Sequence, residues 1–148
     1  MSSSLAFPTG KPARLRFTGY AALFDVADRG GDIIRRGAFD GAGAPIPLLW
    51  QHDPKRRIGT VDSLSEDGLG LKIDASVDGA SGAAREVAAM LNEGRINGLS
   101  FGYRVRAASA GAPGRGGAKV RELTALDLVE VSLVTNPMQP GARVTHII

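Results

Sequence analysis

The chain has 148 residues, with 18 Lys and Arg against 15 Asp and Glu, two histidines and no cysteine. That length suits one domain with a buried core, and the missing cysteines exclude a disulfide frame, a thiol nucleophile and a Cys-based zinc site. The net charge of +3 is interspersed and aromatics are only 5%, which argues against nucleic-acid binding.

No apolar run approaches the roughly 20 residues of a membrane span. The first residues lack both a basic start and an apolar secretion segment. The expectation is a cytoplasmic protein with no membrane, metal or cofactor.

Arg14–Phe24 alternates, with Leu15 and Phe17 on one face and Arg14 and Arg16 on the other, the period of a half-buried strand. A Gly/Asp loop and the pair Ile33-Ile34 follow. Pro45–Gln51 is apolar and ends at His52. Ile58–Leu64 and Leu69–Val77 read as strands joined through Ser65-Glu66-Asp67-Gly68, a hairpin turn. In the second of these, Leu69, Leu71, Ile73, Ala75 and Val77 alternate. Ala84, Val87, Ala88 and Leu91 fall at i, i+3, i+4 and i+7, which predicts a helix starting near Gly82 and capped by Gly94. Leu99–Val105 and Leu126–Val134 are two further β-rich runs. Ala107–Ala118 between them is Gly/Ala/Pro-rich and predicts a flexible loop, as residues 1–12 predict a flexible N-terminus. The chain therefore reads as one domain over 1–148, mainly β with few helices (α+β). Its sheet or barrel is mostly antiparallel, with six to eight strands and one helix.

Three polar residues interrupt these patterns. His52 ends an apolar run, Ser100 lies within Gly98-Leu99-Ser100-Phe101-Gly102, and Glu130 interrupts the run Leu126–Val134. Serine, histidine and carboxylate are the parts of a hydrolytic triad. The hydroxyl needs a neutral imidazole to take its proton, and the imidazole needs an acceptor that fixes its tautomer. Each residue alone also has a plain structural reading: a solvated strand end, a small packing residue, an edge carboxylate. Glu130 shares a face with Leu126, Leu128, Ser132 and Val134, so burial there demands a partner.

Gly98–Gly102 also matches G-x-S-x-G, and the order Ser100, Glu130, His146 copies the α/β-hydrolase triad. That elbow requires a strand before the serine and a helix after it. Here Tyr103-Arg104-Val105-Arg106 continues as strand and the helix comes first. His146 lies near the end of the chain, where fraying is expected. The match is a decoy.

Four blocks carry a different resemblance. The first is Phe17-Thr18-Gly19-Tyr20-Ala21 with Gly31-Asp32 and Arg36-Gly37-Ala38-Phe39; the second is Leu48-Leu49-Trp50-Gln51-His52-Asp53 with Ile58-Gly59. Ile96-Asn97-Gly98-Leu99-Ser100-Phe101-Gly102-Tyr103 and Leu128-Val129-Glu130-Val131-Ser132-Leu133-Val134-Thr135-Asn136-Pro137 complete the series. In order and spacing the chain resembles the prohead, or capsid maturation, serine proteases of the HK97 type, including gene transfer agent relatives.

The resemblance implies an antiparallel β-barrel related to the herpesvirus assemblin proteases. It implies His52 as general base, Ser100 as nucleophile and Glu130 as orienter of the histidine. The implied activity is a serine endopeptidase acting on major capsid protein and its scaffold segment, inside assembling proheads in the bacterial cytoplasm. Self-cleavage and homo-oligomerisation stay open. The chain departs from such relatives in lacking long terminal extensions and in showing one obvious helix. The competing reading is a non-enzymatic capsid-assembly or scaffolding factor with a protease-like barrel.

Overall fold

The computed structural model describes residues 14–79, 82–110 and 120–148. Its elements run β1 (Arg14–Leu23), β2 (Asp32–Ile34), β3 (Ile46–Trp50), β4 (Asp53–Glu66), β5 (Gly70–Asp78), α1 (Gly82–Asn92), β6 (Gly98–Ala110), β7 (Arg121–Val134) and β8 (Val144–Ile147). The chain is mainly β with one helix among the described residues, as its period-2 runs require. That helix has 11 residues, so no helix here is long and apolar enough to cross a membrane.

β7 organises the sheet. It pairs antiparallel with β6, while β2 and β3 run parallel to it at Asp32↔Arg121 and Leu48↔Val131. From β3 the sheet continues through β4, β5, β1 and β8, every pair antiparallel. The ladder does not close into a complete barrel. Two backbone bonds nevertheless tie its ends: Leu99 N–H to Ala142 O (2.9 Å) and Val144 N–H to Asn97 O (2.8 Å).

Phe17, Leu48, Val61, Ile73, Val77, Leu99 and Leu133 are fully buried between the curled faces. The alternation in β5 is observed from Leu71 to Ala75, Ser76 and Val77 then both being buried; Leu69 falls in the turn and is exposed. Helix α1 packs Ala84, Val87 and Leu91 against β4 and β5, and each large apolar side chain so covered contributes about 1.5–3 kcal/mol. Its end is a Schellman motif. Gly94 takes φ 73°, its N–H donates to Leu91 O, and Arg95 N–H donates to Met90 O.

Three elements exceed their sequence signals. β4 begins five residues before Ile58 because Lys55, Arg56 and Arg57 are all exposed, which leaves no alternation to read. β6 runs on to Ala110, so 107–110 is strand rather than loop. Its outer half is wholly exposed and is defined only by pairing with β7, down to Ala110↔Arg121. β8, four mostly exposed residues, carries almost no hydrophobic signature. The remainder of the expected Gly/Ala-rich loop, 111–118, and the N-terminal stretch 1–12 lie outside the described residues.

Candidate active site

His52 sits in the two-residue turn between β3 and β4, where Trp50 pairs with Asp53. Gln51 and His52 both take left-handed conformations, φ 51° and 62°, in a turn geometry that normally selects Asn-Gly. Two residues with β-carbons there cost on the order of 1 kcal/mol each, so other contacts must hold the turn. Gln51 N–H donates to Leu133 O at 2.9 Å, and Thr135 N–H donates to Gln51 Oε1 at 3.3 Å. His52 N–H donates to Ser132 Oγ at 3.1 Å. The parallel pairing of β3 with β7 is what brings this turn to those partners.

The core face of β7 carries Leu126, Leu128, Val131 and Leu133, so Glu130 and Ser132 lie on the opposite face rather than sharing one with Leu126 and Leu128. Glu130 is nonetheless 7% exposed, a burial that demands a partner, and it has two. Its Oε1 lies 2.6 Å from His52 Nδ1, and its Oε2 accepts the Ser132 hydroxyl at 2.6 Å. A carboxylate offers acceptors only, so Nδ1 carries the ring proton and a neutral imidazole presents its Nε2 lone pair. Beside Glu130 the β6–β7 register slips, Gly102 pairing with Glu130 and Tyr103 with Leu128, so Val129 is an unpaired bulge residue.

Ser100 stands opposite Ser132 across the β6–β7 ladder. It is 5% exposed and lines a cleft of about 20 Å³, room for roughly one water, with Asp28, Tyr103, Met138 and Gln139. Ser132 is therefore the shared neighbour of Ser100, by strand pairing, and of His52, by hydrogen bond. Among the described residues the Ser100 hydroxyl itself makes no hydrogen bond. The buried Gln139 amide fixes one wall of the cleft: Oε1 accepts Leu23 N–H at 2.7 Å, and Nε2 donates to Leu23 O and Val26 O at 2.9 and 3.2 Å. Burial pushes the Tyr103 phenol above its ordinary range, with Asp32 and Asp28 adding to the effect. Asp32 is in turn held by Arg121 through two bonds of 3.0 and 2.9 Å.

His146 is elsewhere. It lies in β8 opposite Thr18 rather than in a frayed end, and among the described residues its ring hydrogen-bonds only Thr145 Oγ1, at 3.2 Å. Gly98–Gly102 lies inside β6, with α1 before it, so the α/β-hydrolase order has no structural counterpart. No group of three or more metal-ligating side chains converges among the described residues.

Sequence reasoning singled out His52, Ser100 and Glu130, and the structure joins the first and third directly. It missed two residues. Ser132 was visible as a face-mate of Glu130, but a serine two positions on gives no signal of a hydrogen bond. Gly102 was absorbed into the decoy motif. Its true setting is opposite Glu130, where an added β-carbon would lie 2.5 Å from Oε1.

A family model described as the caudovirus prohead serine protease matches residues 6–148. The prohead protease of Enterobacteria phage HK97 is 32% identical over 102 residues, 66% of this chain and 45% of the relative. The chain thus spans less than half that relative's length. Among solved structures, the capsid assembly protease of bacteriophage T4 superposes with a TM-score of 0.58 at 14% identity, covering 82% of this chain and 81% of its own. The proteases of KSHV and varicella-zoster virus score 0.57 and 0.55, at 16% and 17% identity, each covering 90% of this chain and 64% of its own. At such identities these likenesses speak to the fold, and the fold is the one the sequence blocks implied.

Proposed function

Because this chain belongs to the caudovirus prohead serine protease family, we propose that it is a serine endopeptidase of capsid maturation, with Ser100 as nucleophile, His52 as general base and Glu130 as orienter. The observation that carries the assignment is the 2.6 Å contact between His52 Nδ1 and a buried carboxylate. It leaves the Nε2 lone pair free to take a proton.

In this reading Ser100 Oγ attacks the scissile carbonyl while its proton passes to His52 Nε2. Glu130 stays ionised and stabilises the imidazolium that forms. The imidazolium then protonates the leaving amine, and water repeats the sequence to release the acyl group. The substrates are capsid protein and its scaffold segment within the assembling prohead, and residues 1–148 act as one protease domain. On this reading a Ser100–His52 hydrogen bond forms when substrate binds, as catalytic contacts commonly tighten only in the substrate complex.

The test is co-expression with the neighbouring capsid protein, read on gels. Wild-type protein should shorten it. Ser100→Ala and His52→Ala should each lower turnover by several orders of magnitude with unchanged circular dichroism, since members of such a unit fail together. Glu130→Gln should cost less than either. A folded wild-type protein that leaves the capsid protein intact would instead favour an assembly factor that does not cut.

A further inference from the structure

Ser132 is fully buried, and its hydroxyl uses both of its capacities on the histidine system. As acceptor it takes His52 N–H at 3.1 Å; as donor it gives its proton to Glu130 Oε2 at 2.6 Å. The other oxygen of Glu130 faces His52 Nδ1 at 2.6 Å. The contacts form a closed ring that leaves His52 by its backbone and returns to it by its imidazole. The backbone N–H can only donate and the carboxylate can only accept, so both arms of the ring run from His52 and converge on Glu130, one directly from Nδ1–H and one through the Ser132 hydroxyl.

We propose that Ser132 is a positioning residue for the reaction: through this ring it locks backbone, rotamer and tautomer of His52 together. The inference rests on the protease reading for its catalytic meaning, though not for its geometry. Glu130 alone leaves the imidazole free to swing with the carboxylate about its own side-chain torsions. Ser132 removes that freedom at the carboxylate end, and its bond to His52 N–H stabilises a left-handed residue that the turn would otherwise disfavour. The His52 side chain is 41% exposed, so packing alone does not supply what this ring supplies.

The experiment uses the full chain with labelled histidine in a His146→Ala background, so that one imidazole reports. The expected wild-type signature is a downfield Nδ1 proton resonance protected from water. Ser132→Ala should lose that resonance through exchange and lower kcat about 10- to 100-fold, the scale of a misplaced catalytic group, with KM unchanged. Ser132→Thr, which keeps the hydroxyl, should restore both. Where Ser132→Ala fails to fold, Ser132→Cys, a feeble donor of similar size, takes its place with the same expectations. A folded Ser132→Ala protein that keeps both the resonance and wild-type kcat overturns the proposal. A wild-type protein that cuts nothing, yet loses the resonance only on Ser132 substitution, refutes the protease reading and upholds the positioning.

Discussion

Gly102 lies directly opposite Glu130 across β6 and β7, and a β-carbon at that glycine would stand 2.5 Å from the carboxylate oxygen that meets His52. The absence of a side chain at one residue is therefore what allows the carboxylate of the other to reach the imidazole. Gly102→Ala is expected to displace the carboxylate, the tip of a side chain rather than backbone, at about 1 kcal/mol in stability. Cleavage should fall about 100-fold. Capsid cleavage beside a urea melt checks both; wild-type cleavage by the alanine variant would show that Glu130 need not stay where it is.

The two histidines should separate cleanly. His146→Ala removes an exposed ring whose one hydrogen bond among the described residues is to its neighbour Thr145, so cleavage should stay at the wild-type level and stability within about 0.5 kcal/mol. His52→Ala should be inactive. A gel showing His146→Ala dead and His52→Ala active would reverse the assignment of the base.

Gly94 offers a test of the helix end. Nothing stands within 4 Å of the β-carbon it lacks, so Gly94→Ala meets only the left-handed backbone and should cost about 1 kcal/mol. Leu91→Ala, one turn earlier and 2% exposed, should cost about 2–5 kcal/mol through lost burial and a cavity. Urea midpoints with an unchanged slope are the measurement, and the order Leu91 above Gly94 is the result expected.

Acid should loosen the β4–β5 turn. The Tyr20 hydroxyl bonds Asp67, whose carboxylate also accepts the N–H groups of Leu69 and Gly70. The Tyr20 bond, then the Leu69 N–H, hold the Asp67 carboxyl below its ordinary range. A carboxyl depressed in the folded state adds stability above its unfolded pKa, about 4, and that stability is lost as pH falls through the folded value. Urea midpoints should therefore drop on acidification below about pH 4, and Tyr20→Phe should flatten that part of the slope. Identical slopes for the two proteins would exclude the pair as the cause.

What the sequence made legible was local. The alternation of Leu71 to Ala75 and the spacing of Ala84, Val87 and Leu91 announce themselves because one face of each stretch is buried and the other is not. The first residues of β4 and the outer half of β6 are held by ladders to the adjacent strands β3 and β7, and β8 by its ladder to the distant β1, all with mostly exposed side chains that record nothing of the pairing. His52 and Glu130 stood out as polar residues where apolar ones belong. Their junction depends on a parallel β3–β7 pairing and on a bulge at Val129, and neither leaves a mark in residue spacing.

That parallel pairing also sets when the site can exist. His52 and Glu130 are 78 positions apart, and the strand that carries the carboxylate is made after those that carry the histidine turn and the serine. A chain translated only through β6 already holds the serine and the histidine. It lacks the carboxylate, the hydroxyl that orients it and the carbonyl of Leu133 that anchors the turn, all of which arrive together on β7. The His52–Glu130 contact is thus a property of the finished sheet, and on the proposed reading a chain that stops before β7 should cut nothing.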